Sequence, residues 1–217
     1  YTQQGGDWPP ADEPFVPHAF EDSRVFLTVP RRPSPATGTP TVLFVRTGGG
    51  GDRPLIDRGF REVAGQDPSE PGTGPAGLLA EAGFAGLSFD GPHGGIRNIT
   101  RGDEQFLIFN ISNPWAMRDN IRQSALEIVL VGDLLDRFSV DISSCPGAGE
   151  RFEVDPEHLA LMGHSMGATI APLVAAASPR FGTVLLSGAG GSWIHNIVYK
   201  ERPLPVRPLA EGLIGYV

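Results

Sequence analysis

The chain has 217 residues, 40% of them apolar and 19% charged; that is room for one large domain or two small ones, and neither a charge-rich disordered chain nor a coiled coil. A formal net charge of −8 and a pI near 5.1 leave no electrostatic footprint for nucleic acid or an anionic membrane surface, so no nucleic-acid partner is expected. No apolar run approaches the roughly 18 residues that cross a bilayer, so no transmembrane protein is expected, and a single cysteine, Cys145, makes neither an internal disulfide nor a Cys-rich zinc site.

Glycine (29) and proline (21) together approach a quarter of the chain, which predicts many turns and long connections. Residues 1–23, with Pro9, Pro10, Pro14 and Pro17 among Gln, Gly and Asp, read as an extended N-terminal arm. A strand is expected over 24–29, stopped by Pro30, and a proline-rich connection over 31–40. Residues 41–45 form a compact β-branched and aromatic run that suits a buried strand, ending in the glycines 48–51. The polar stretch 52–75 leads into a short helix over 75–82, and 84–89 is a second buried strand stopped by Asp90, Gly91 and Pro92. After a polar loop, Asn113 offers an N-cap and Pro114 the first helical position. Ile121, Ala125, Ile128, Leu135 and Phe138 then recur at helical spacing, so a helix is expected to about residue 138. A third buried strand over 158–162, an Ala-rich helix to about 178 and a fourth strand over 183–187 complete the core. Apolar strands alternating with helices predict an α/β fold, a mainly parallel sheet with helices on both faces.

Between the third strand and the Ala-rich helix stands Gly163-His164-Ser165-Met166-Gly167, a G-x-S-x-G pattern. In this context the pattern describes a sharp strand-to-helix turn in which flanking glycines let neighbouring backbone come close to a strained serine. A serine hydroxyl attacks a carbonyl only if a base takes its proton and donors stabilise the oxyanion that forms. At the helix N-terminus, the backbone N–H of Met166 is placed to be one such donor. The second is expected from the glycine run after the 41–45 strand, at Gly48 or Gly49.

The order strand, Gly-rich loop, helix, strand ending in Asp90-Gly91-Pro92-His93-Gly94, long helix, strand, Gly163-His164-Ser165-Met166-Gly167, helix, strand resembles the α/β-hydrolase superfamily of serine esterases and lipases over residues 24–190. The resemblance implies hydrolysis of carboxylic esters by Ser165 through an acyl-enzyme, on a small-molecule or lipid ester substrate, with no cofactor and no metal. Two features depart from the pattern: Arg46-Thr47 stands where many relatives carry His-Gly, and Pro172 sits early in the helix after the serine, where it costs a hydrogen bond or a kink.

The family order is nucleophile, acid, histidine. After Ser165 there is no Asp; Glu201 and Glu211 are the only carboxylates and His195 the only histidine. His195 follows the fourth strand too soon for the family position and reads as a loop residue. His164 is expected beside the serine without pointing at it. His93 reads as a substrate contact or a loop-shaping residue, and Asp90 as a turn former. The acid and histidine are therefore expected outside this chain, in a continuation or companion chain, which makes the hydrolase fold incomplete at its C-terminus. Residues 191–217, rich in apolar groups, are expected to begin a lid or to pack on further strands. A noncatalytic binding or structural protein of the same fold, or an amide or peptide hydrolase, is the alternative. The start at Tyr1, the proline-rich arm and the likeness to exported bacterial hydrolases favour a secreted or periplasmic location.

Two further patterns fail on context. Gly72-Thr73-Gly74-Pro75-Ala76-Gly77 spells G-x-G-x-x-G, but no strand precedes it as a dinucleotide turn requires. The glycines 48–51 lack the Lys-Ser/Thr of a phosphate loop.

Overall fold

The structure, a computed structural model, describes Trp8 and residues 12–14, 16–17, 19–48, 53–59, 72, 74–190, 192–202 and 205–216. The sheet is built from β1 (Val25–Thr28), β2 (Thr39–Val45), β3 (Ala85–Phe89), β4 (Ser139–Asp141), β5 (Arg151–His164) and β6 (Thr183–Ser187). Its main path runs β1-β3-β2-β5, and β6 adds to β5. The pairs β2/β3, β2/β5 and β5/β6 are parallel, whereas β1 lies antiparallel to β3 and β4 antiparallel to the start of β5. The expected α/β architecture, a mainly parallel sheet with helices on both faces, is the one observed, and it is the arrangement that the α/β-hydrolase resemblance implies.

Side-chain alternation along the central strands decides what each face holds. Leu43 and Val45 of β2, Leu87 of β3 and Leu161 of β5 point into the larger core cluster. That face is covered by α4 (Pro114–Leu134) and α5 (Met166–Ala177). The long helix presents Ile121, Ala125 and Ile128 to it, spaced by four and then three residues as one helical stripe requires. Phe44 of β2 and Met162 of β5 point the other way, onto Leu55 and Ala76. Those residues belong to α1 (Pro54–Asp57) and α2 (Pro75–Glu81). Burying a leucine such as Leu161, which is fully inaccessible, contributes about 2 to 3 kcal/mol from removed apolar surface.

Helix starts follow their capping chemistry. The Asn113 side chain accepts the Ala116 N–H and Pro114 takes the first helical position, as expected. The helix ends at Leu134 and tightens into a 3-10 turn over Leu135–Arg137, so its expected extension to 138 is shortened by that last turn.

Three expectations need correction. The polar loop after β3 contains a helix, α3 (Glu104–Phe109), capped by the Asp103 carboxylate, which accepts the N–H groups of Gln105 and Phe106. Its run Phe-Leu-Ile-Phe is too short to show a helical period, and only Ile108 is buried. The third strand is far longer than 158–162, because its first residues form a hairpin with β4, Val140 facing Phe152; Asp155-Pro156 interrupts the apolar pattern there. The fourth strand falls where expected, but it is exposed along its whole length, not buried. It pairs with β5 on one side, and of the covering helices α5 alone touches it among the stronger contacts. After it in the chain come α6 (Trp193–Tyr199) and α7 (Arg207–Leu213), neither of which contributes a buried residue. No described helix is long and apolar enough to cross a membrane.

Candidate active site

Ser165 sits between β5 and α5 with φ 54° and ψ −114°, a backbone conformation that costs an L-residue of order 1 to 3 kcal/mol and persists only where the surroundings enforce it. The enforcement is visible in the backbone around it. A Cβ on Gly163 would lie 2.4 Å from the Gly167 carbonyl oxygen, and one on Gly167 would lie 2.4 Å from that of Val45. Both glycines are therefore required for close approach, the second because the start of α5 rests on the end of β2. The Ser165 N–H donates to Ser187 O at 2.8 Å and its carbonyl accepts from the Ala168 N–H at 2.9 Å. Ser165 occupies the N-cap position, yet its hydroxyl makes no capping hydrogen bond, and the residue is exposed. An ordinary capping serine would spend its hydroxyl on the helix; this one presents it at the surface.

Register places the neighbours. Val45 pairs with Gly163 and His164 with Ser187, so Thr47 and Gly48 leave β2 at the level where Ser165 leaves β5, and Gly188 leaves β6 beside them. All are at the C-terminal edge of the parallel strands, where α/β sheets gather their functional loops. The N–H of Met166, the first residue of α5, has no acceptor among the described residues, and it lies at the positive end of the helix dipole. Gly48 is held from two sides. Arg58 donates to its carbonyl at 3.0 Å, and Gln105 packs so closely that a Cβ on Gly48 would lie 2.7 Å from Gln105 Cγ. Gly49, the other candidate donor, lies outside the described residues.

His164 Nδ1 is 3.1 Å from Ser187 Oγ; burial, then the charge of Arg58, lowers its pKa, against a hydrogen bond with the Ser187 backbone. His93 has φ 58° in the loop after β3. Burial lowers its pKa, a side-chain hydrogen bond with Asn120 opposes this, and the charges of Arg46 and Arg97 lower it further. Both rings are thus biased to the neutral form. His195 lies on α6, exposed, its ring edge on Tyr199 at 5.7 Å between centroids. Among the described residues no histidine is hydrogen-bonded to Ser165.

Asp90 is fully buried and works as a loop anchor: its Oδ2 accepts the Ile96 N–H at 3.1 Å and lies 3.8 Å from Arg24, while its carbonyl accepts from Ser23 and Arg97. Pro172 lies inside α5, which nonetheless runs unbroken from Met166 to Ala177. Cys145 is exposed in the turn before β5 and forms no disulfide. No group of three or more His, Cys, Asp or Glu among the described residues is arranged to share a metal ion.

The contribution that sequence reasoning missed is that of the segment after β3. Glu104 pairs with Arg46 at 2.8 Å, Arg97 with Glu127 at 2.6 Å, and Asn120 donates to the carbonyls of Leu107 and Ile108 at 3.1 Å each. These contacts fasten the 90–113 excursion to α4 and to the end of β2. The signal available was Asp103 three residues before Phe106, a short N-cap pattern hidden in a polar loop.

No family profile matches the chain, and no curated protein matches it. It is similar to solved structures of a cold-adapted esterase from an Arctic intertidal metagenomic library (19% identity, 70% of this chain and 51% of that one, TM-score 0.39) and of acetyl xylan esterase 1 from Thermoanaerobacterium (17%, 82% and 49%, 0.44). It is also similar to the BES protein from Bacillus cereus (16%, 86% and 63%, 0.43). The chain spans less than two thirds of the length of each.

Proposed function

We propose that this chain carries the nucleophile portion of a serine hydrolase of the α/β-hydrolase kind, acting on carboxylic esters. The observation that carries the reading is Ser165: a strained, exposed serine whose hydroxyl is withheld from capping, between two glycines that backbone contacts make obligatory. In the proposed reaction Ser165 Oγ attacks the ester carbonyl and passes its proton to a histidine supplied from outside these 217 residues, steadied by an acid also supplied from outside. The carbonyl oxygen becomes an oxyanion that takes hydrogen bonds from the Met166 N–H and from Gly48 or Gly49. Collapse expels the alcohol with that proton, and water then releases the acid from the acyl-enzyme. His93 is a candidate substrate contact in the same reading.

Chemistry of this kind needs nothing beyond side chains and backbone donors. Labelling the whole protein with a fluorophosphonate tests it directly. Modification at Ser165, abolished by Ser165→Ala, is the expected result; a folded protein that stays unlabelled rejects the catalytic role. That result would favour the second reading, a noncatalytic binding protein of this fold, for which the support is that no described histidine is hydrogen-bonded to Ser165. Substrate is proposed only as a small-molecule or lipid ester, and a companion chain is one way the remaining groups would arrive.

A further inference from the structure

Arg46 is the first residue after β2 and is almost wholly buried. Its Nη1 lies 2.8 Å from Glu104 Oε2, and its other terminal nitrogen donates to Pro92 O. The second oxygen of Glu104 accepts the Gly95 N–H at 3.0 Å. The loop backbone hugs the guanidinium: a Cβ on Gly94 would lie 2.7 Å from Nη1. One residue on, Gln105 presses its stem on Gly48. The first turn of α3 therefore touches the loop after β2 at two points and the loop after β3 at a third.

A buried ion pair is a poor source of net stability, because desolvation of both charges offsets their attraction and apolar side chains of the same size often do as well. What the pair supplies is direction. A planar guanidinium held by a carboxylate on one side and a carbonyl on another fixes the orientation of the backbone that bears it. The backbone in question leads straight into Gly48.

Resting on the reading of Ser165 as the nucleophile, we propose that Arg46, Glu104 and Gln105 are positioning residues, through which the first turn of α3 sets the backbone at 46–48 for oxyanion stabilisation. Turnover then depends on a short helix from a different part of the chain. A misplacement on the order of 1 Å at a group that stabilises the reacting atoms costs on the order of 100-fold in rate.

The test compares wild type, Glu104→Gln and Gln105→Ala in the whole protein by two readouts. One is kcat and KM for p-nitrophenyl acetate; the other is hydrogen exchange of the 46–48 amides, with the β2 amides as internal reference. Each variant is expected to lower kcat about 10- to 100-fold with KM within about twofold, and to speed exchange at 46–48 while β2 stays protected. Unchanged kcat and unchanged exchange at 46–48 overturn the proposal; so does exchange that quickens equally everywhere, which marks a merely structural role. If wild type neither turns over nor labels at Ser165, the hydrolase reading fails instead, and the exchange readout still decides whether α3 fastens the loop.

Discussion

At the scale of the residue, Ser165 concentrates the physics of the site. Its φ of 54° lies well inside the left-handed region, as do those of His93 (58°) and Arg101 (56°). On the proposed reading the nucleophile needs that conformation because it lifts the side chain out of the helix and strand it joins; the fold meets the strain through Val45, Gly167 and Ser187. Glycine relieves such strain, whereas alanine keeps it. Ser165→Gly is therefore expected to unfold at a higher urea concentration than Ser165→Ala, by about 1 kcal/mol, and neither variant should label with fluorophosphonate. Equal midpoints would mean that the turn is not strained. The serine and its two glycines were legible as a pattern in the sequence. That the hydroxyl declines to cap the helix was not, because the same letters fit an ordinary N-cap and only the dihedral angles separate the two.

Among the elements, the elbow and α3 behave differently as objects of inference. The β5-turn-α5 unit is local in sequence: an apolar strand, small residues at the turn and a helix-forming run follow one another, and each step announces the next. Its tight point is nevertheless a contact with β2, where a Cβ on Gly167 would meet two successive carbonyl oxygens at 2.4 and 2.9 Å. Backbone oxygens cannot rotate away as a side chain can. Gly167→Ala is accordingly expected to cost about 3 kcal/mol or more and to abolish labelling of Ser165, read by urea denaturation beside the labelling assay; a variant as stable and as reactive as wild type would show that α5 does not bear on β2. Helix α3 was missed because its six residues give too little length for periodicity and its polar contacts are distant: Glu104 to Arg46 and Gln105 to Gly48 join positions almost sixty apart in the chain. Such pairings have no local signature.

The molecule as a whole is lopsided. At one edge of the sheet β1 pairs antiparallel with β3 and is largely half-buried, while β6 at the other is exposed throughout, with Val184, Leu185 and Leu186 at 37%, 49% and 44%. Helices α6 and α7 add further exposed apolar side chains, including Ile194, Tyr199 and Leu213. An apolar strand edge left without a partner templates pairing with another chain, and charge on the edge blunts this. Expressed as these 217 residues, the protein is expected to self-associate, and Leu185→Lys to shift it towards monomer by light scattering without changing its far-ultraviolet spectrum. A monodisperse parent chain would remove the basis for that expectation. By itself the sequence determined the fold class, the strands that carry the core and the sharp turn at Ser165 between β5 and α5, since periodicity, capping residues and glycine spacing are local and act over a few positions. Only the tertiary structure decided the strain at Ser165, the lack of a hydrogen bond to it from any described histidine, the exposure of β6, and the clamp between α3 and the loop after β2. Each of these depends on backbone registers and on contacts between residues far apart in the chain, whose geometry is set when the sheet assembles.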